Sequence, residues 1–213
     1  MSNSSGNFLK ILWKKVLARV LAGLFLILII LTRLGSFVNE YSGRFIAWLT
    51  SILVLIMCYD VFMRYIFKNT SVWIVELEWH LFALIFLIGA AYTLKHDAHV
   101  RVDVFYAKFS PKTQAIINFT GSIVFLIPLC LIIIKTSYDF TYNSYLINES
   151  SADPGGLPAR YIIKGAITLG FVLLLIQAIG EATRSFVNII GLDRMQGFMG
   201  RNLPVIYKLK IPN

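Results

Sequence analysis

The chain has 213 residues, of which 57% are hydrophobic and only 15% charged, and its mean hydropathy is +0.72. A soluble domain carries about 25% charged and about 45–50% apolar residues. This composition therefore excludes most soluble enzyme classes and describes an integral membrane protein with several spans. Twenty Lys and Arg against eleven Asp and Glu give a net charge of +9. No basic run is interleaved with aromatics in a polar segment, so no nucleic acid partner is expected, and the excess is assigned to basic loops on the cytoplasmic side of a membrane.

The first apolar stretch, Val20 to Leu31, is bracketed by Arg19 and Arg33. As a helix it covers only about 18 Å, which is short for a bilayer core of about 30 Å. Thr32-Arg33-Leu34 follows it, with no small-residue cleavage site, so it does not read as a cleavable signal. Residues 8–40 are expected to form an amphipathic helix on the membrane surface, with a fifth span as the alternative. Four longer stretches read as spans, at about 45–63, 72–94, 115–134 and 161–180. Pro128 interrupts the third and is expected to kink it or to sit at a packing contact.

Charge sets the expected topology. With four spans, fifteen of the twenty basic residues fall on the side of the termini and five (Arg64, Lys68, Lys135, Arg160 and Lys164) on the other. The positive-inside rule then places both termini in the cytoplasm. Ser110-Pro111 reads as a helix start, with the serine as cap. Residues 136–160 read as an outer loop, its tyrosines suited to an interface and Asp153-Pro154-Gly155-Gly156 marking a tight turn. The fold expected is an all-α integral membrane protein. It comprises an N-terminal segment (1–43), a four-helix membrane domain (44–182) and a cytoplasmic tail (183–213).

The polar residues in and near the spans are the candidates for function. Asp60 and Arg64 are four apart and share a helical face, so an interfacial ion pair is expected, against the alternative of a proton or ion relay. Glu76 and Glu78 open the second span after Trp73, where acids suit the helix dipole. Glu76 is expected to reach back to Arg64 as an inter-helix clamp, the alternative being contact with a partner subunit. His96, Asp97, His99 and Asp103 lie in the loop after the second span. Their spacing fits no standard zinc signature, and a hydrogen-bonded loop is expected. Cys58 and Cys130 lie in apolar segments and read as buried free thiols, too few to hold a metal. The sequence has no G-x-S-x-G, H-E-x-x-H or P-loop, so no enzyme template is met. It also shows no internal repeat, which solitary carriers usually have.

Several strings together carry a resemblance. Tyr59-Asp60-Val61-Phe62-Met63-Arg64-Tyr65-Ile66-Phe67 is followed by Trp73 and Glu76-Leu77, then by Gly89-Ala90-Ala91-Tyr92-Thr93-Leu94-Lys95 and His99-Val100-Arg101-Val102-Asp103. In this order and spacing they resemble the small membrane subunit, DctQ-like, of tripartite ATP-independent periplasmic (TRAP) transporters, over about residues 44–182. Pro154-Gly155-Gly156-Leu157-Pro158 resembles the larger-loop branch, labelled mannitol/chloroaromatic-type.

The resemblance implies a non-catalytic scaffold in the bacterial inner membrane. A large, DctM-like permease subunit would carry the solute and the sodium sites, so that this chain holds no cofactor. A periplasmic binding protein would deliver an organic acid or similar solute. Asp60, Arg64, Trp73, Glu76, Gly89, His99 and Asp103 are then structural or interface candidates, with Gly89 to Ala91 offering a small-residue face for close helix packing. The alternatives are a small oligomeric channel or self-sufficient carrier, and an intramembrane enzyme.

Overall fold

The computed structural model describes residues 3–96, 106 and 108–190. All regular elements among the described residues are helical: α1 (Asn3–Ile66), α2 (Val72–Lys95), α3 (Pro111–Leu146) and α4 (Tyr161–Ile190). Each is long and apolar enough to cross a membrane, α1 within its part Thr32–Ile66. The all-α membrane fold with four candidate spans is therefore as expected, though the helices run past the apolar windows that announced them.

The lead-in and the first span form one uninterrupted helix of 64 residues, about 96 Å along its axis. Arg33, Glu40 and Arg44 interrupt the hydropathy but not the backbone. Arg and Glu are good helix formers, and no proline occurs before Pro111. The third helix departs from expectation in the same way. It does not end near residue 134 but continues to Leu146, so Tyr138, Tyr142 and Tyr145 are helical and the connection to α4 shrinks to residues 147–160. Within this polar stretch the helix's own carbonyls satisfy the hydroxyls: Thr136 donates to the Ile132 carbonyl at 3.0 Å and Thr141 to that of Ser137 at 2.7 Å.

Pro128 acts locally. Lacking an N–H, it breaks the regular ladder, and the turn just before it, Ser122–Leu126, is π-helical, with the Ile127 N–H reaching back five residues to the Ser122 carbonyl. The start of α3 is capped as expected: Ser110 Oγ accepts from the Thr113 N–H at 3.2 Å, with Pro111 opening the helix.

α4 packs against all three other helices, and α1 packs on α2. The central cluster joins Ala91 and Leu94 of α2, Cys130 of α3, and Leu173, Leu174 and Ala178 of α4. Small residues let the backbones close in. At Gly170 a Cβ would lie 2.9 Å from the Leu87 carbonyl oxygen of α2, and at Gly43 it would enter the Tyr92 ring. Cys130 is a buried thiol, but Cys58 is exposed on the outside of the bundle. Two residues span about 200° of helix, so with Asp60 turned inward Cys58 faces out.

Candidate functional site

Polar side chains collect at the two ends of the bundle, and the apolar core separates them. At one end the short connection 147–160 is clasped by α2. Glu76 is only 4% exposed, yet every donor around it comes from that connection. Its Oε1 accepts from Ser151 Oγ and, at 2.8 Å, from Arg160 Nη2; its Oε2 accepts from the Leu157 N–H at 2.5 Å. The loop closes on itself as well. The Ser151 N–H donates to the Leu157 carbonyl at 3.1 Å, and the Arg160 N–H to that of Glu149 at 2.9 Å. Gly155 turns the chain at φ +81°, in the left-handed region. Beside it, a Cβ on Gly156 would lie 2.7 Å from Glu76 Oε2 and closer still to Ser151 Oγ. The carboxylate and the bare glycine backbone thus occupy one site together.

A second ion pair ties the same loop to α4. Glu149 Oε2 accepts from Lys164 Nζ and, at 2.6 Å, from Ser144 Oγ. The hydrogen bond from Lys164, with that from Ser144, holds the Glu149 carboxyl below the usual glutamate range. Lys164 also stands 3.9 Å over the Phe140 ring.

Beside this clasp, Asp60 is buried at 3% exposure and pairs with Arg64, as its spacing predicts. The expected link from Arg64 to Glu76 does not form, because Arg160, Ser151 and Leu157 occupy that carboxylate. Helix geometry gives the reason. Glu76 and Glu78 differ by about 200° around α2. Glu76 faces the loop, and Glu78 is the one within electrostatic reach of Asp60 and Arg64. Trp73 is half exposed at the start of α2. At Gly89 a Cβ would meet nothing within 4 Å, whereas Ala91 is fully buried in the chain's own core. The proposed small-residue face is therefore split: Ala91 serves this bundle, and Gly89 faces open space. His99 and Asp103 lie outside the described residues.

The opposite end holds a network that the spacing did not suggest. Lys95, the last residue of α2, donates to Glu40 Oε2 at 2.7 Å and to the Ser36 carbonyl at 3.0 Å; His96 Nε2 lies 3.2 Å from the same Glu40 oxygen, and Arg44 lies 3.6 Å from the other. Just before Glu40 in α1 and turned into the bundle, buried Asn39 donates to Gln177 Oε1 of α4 at 3.0 Å. Sequence reasoning passed over Arg160, Lys164, Glu149, Glu40, Asn39 and Gln177. A signal for two of them was present. Arg160 and Lys164 sit at the start of α4, where the dipole disfavours cations, and such placement calls for carboxylates nearby.

These arrangements join helix to helix and loop to helix. No group of three or more His, Cys, Asp or Glu among the described residues is placed to hold a metal ion. A family model described as tripartite ATP-independent periplasmic transporters, DctQ component, matches residues 53–188. The chain is also 32% identical over 73 residues to the C4-dicarboxylate TRAP transporter small permease protein DctQ of Vibrio cholerae serotype O1. That match covers 34% of this chain and 32% of the Vibrio protein, about a third of its length.

Proposed function

Since the chain belongs to the DctQ family of tripartite ATP-independent periplasmic transporter components, we propose that it works as the scaffold of such a transporter, bracing a large permease subunit. In this reading the large subunit moves the solute and binds the coupling ion. A periplasmic binding protein delivers the solute, an organic acid or similar molecule. This chain performs no chemistry of its own and sits in the inner membrane with both termini in the cytoplasm. The Vibrio relative is named for C4-dicarboxylate, which makes a small dicarboxylate the first solute to try.

The observation that carries the brace reading is how Glu76 is used. A buried carboxylate in a membrane protein is a candidate for ion or proton handling by default. Here its two oxygens already accept three donors from one loop, leaving it committed to holding α2 against the start of α4. Glu149 with Lys164 and Glu40 with Lys95 are likewise tied between elements, and Asp60 pairs with Arg64 within α1. A rigid bundle locked at both ends suits a support against which another subunit moves.

The test is co-production with a DctM-like permease from the same source and reconstitution into liposomes with the binding protein. The brace reading expects stable copurification, and uptake only when both membrane subunits are present. Solute movement by this chain alone would overturn it in favour of a self-sufficient carrier or channel.

A further inference from the structure

Two carboxylate oxygens at the clasped end are left over. Asp60 Oδ1 and Glu78 Oε1 are both buried, and neither accepts a hydrogen bond among the described residues. Among the described residues Arg64 is the cation in electrostatic reach of Glu78, and it pairs with the other oxygen of Asp60. Two carboxyls thus share one guanidinium, in a setting where an uncompensated charge is costly.

The surface around this cluster has a pattern of its own. On α1 the positions turned into the bundle, Asn39, Ile46, Leu53 and Asp60, follow at seven-residue steps. On the outward side a second row of large side chains, Tyr41, Phe45, Trp48, Ile52, Leu55 and Tyr59, steps by four and three in alternation, and all six are exposed. A row of smaller exposed residues, Ala47, Ser51, Val54 and Cys58, follows in the same step. Such steps follow the face of any α-helix, and a ridge beside a groove is a shape that a facing helix can pack against. On α2, Val75, Trp79, Phe82 and Phe86 form a corresponding exposed row, and the half-buried Glu78, next to Trp79 in sequence, lies at its edge.

We propose that the outward α1–α2 face is where the large membrane subunit packs, and that a lysine or arginine of that subunit pairs with Glu78 beside Asp60. This rests on the scaffold reading above. Charge complementarity selects the occupant: the leftover carboxylate calls for a cation at membrane depth, and a partner helix bearing one basic residue supplies it while packing on the exposed ridge.

The experiment uses the full chain co-produced with its permease. A photo-crosslinking amino acid is placed at Trp48 or Phe82, and at Phe125 or Ile132 on the exposed side of α3. Crosslinks to the large subunit are expected from the first pair and not from the second. Glu78→Gln is expected to lower recovered complex roughly tenfold, with Glu78→Asp keeping part of it. The amount of this chain in the membrane, measured alongside, separates lost docking from lost folding. Crosslinks from α3 alone, or wild-type complex recovery with Glu78→Gln, overturn the proposal while leaving the scaffold reading intact. If the unaltered chains form no complex, the scaffold reading fails and this inference fails with it.

Discussion

Glu76 and Arg160 lie 84 residues apart in the chain and 2.8 Å apart in the structure. Between them run α3 and the whole connection that follows it, so this one contact fixes how α2 meets α4 at the clasped end. Glu76→Gln keeps the shape and loses the charge that Ser151, Leu157 and Arg160 all donate to. We expect cleavage of residues 147–160 by an added protease, in proteoliposomes, to quicken roughly tenfold, which is the scale of one charge-assisted hydrogen bond. Unchanged protection would show that the loop is held by other means.

Glycine at 155 and 156 serves the same clasp for two different reasons. Gly155 needs its φ of +81°, where an L side chain costs about 1–2 kcal/mol. Gly156 has ordinary backbone angles but no room, because Glu76 and Ser151 fill the place of a Cβ. Gly155→Ala is therefore expected to lower stability by that modest amount with the clasp still formed. Gly156→Ala is expected to open it and to match Glu76→Gln in protease sensitivity. Equal behaviour of the two alanine variants would count against the close approach at Gly156.

Acid should release the second tie. Glu149 is held below the ordinary glutamate value of 4.5 by Lys164, then by Ser144. A depressed carboxyl favours the folded state fully above its unfolded pKa. That contribution declines as pH falls below about 4.5 and is gone once pH passes the folded value. Amide exchange at residues 149–157, corrected for the intrinsic rate, should therefore quicken between neutral pH and acid. Glu149→Gln should be less protected at neutral pH and should converge with the wild type in acid. A constant gap between the two curves would remove Glu149 from the account.

At the other end, Asn39 and Gln177 test whether a buried polar pair fastens α1 to α4. Asn39→Leu leaves Gln177 without its donor, and Gln177→Leu does the converse, while the double leucine variant removes both demands. A double-mutant cycle on thermal unfolding in detergent should give a coupling of about 0.6 kcal/mol, with about 1.7 kcal/mol as the upper end for membrane helices. Zero coupling would mean that the 3.0 Å contact contributes no net stability.

What the sequence made readable divides along physical lines. The spans were visible because twenty apolar residues in a row have few other uses. Asp60 with Arg64 was visible because i,i+4 neighbours meet on any helix. The ends of α1 and α3 were not, because hydropathy marks where lipid is and not where the backbone hydrogen bonds stop. Arg33, Arg44, Thr136 and Thr141 lower the hydropathy while remaining inside helices. The Glu76 clasp was hidden for another reason. Its partners lie 75 to 84 residues away, and only helix packing decides whether Glu76 or Glu78 turns toward Arg64.

The glycines of α2 and α4 separate packing within this chain from packing against a partner. A Cβ on Gly170 would press on the Leu87 carbonyl oxygen at 2.9 Å and on its carbonyl carbon at 3.1 Å, both backbone atoms that cannot swing aside. Gly170→Ala must push α2 and α4 apart, and overpacking of this kind costs about 1–3 kcal/mol. Gly89→Ala meets nothing within 4 Å and gains helix propensity, so the isolated bundle should be as stable or slightly more so. Thermal unfolding in detergent should therefore separate the two variants by at least about 1 kcal/mol. If Gly89→Ala nonetheless lowers recovery of the complex with the permease, the open space at Gly89 is filled by that subunit. If both variants unfold alike, the close approach of α2 and α4 is not what holds the bundle.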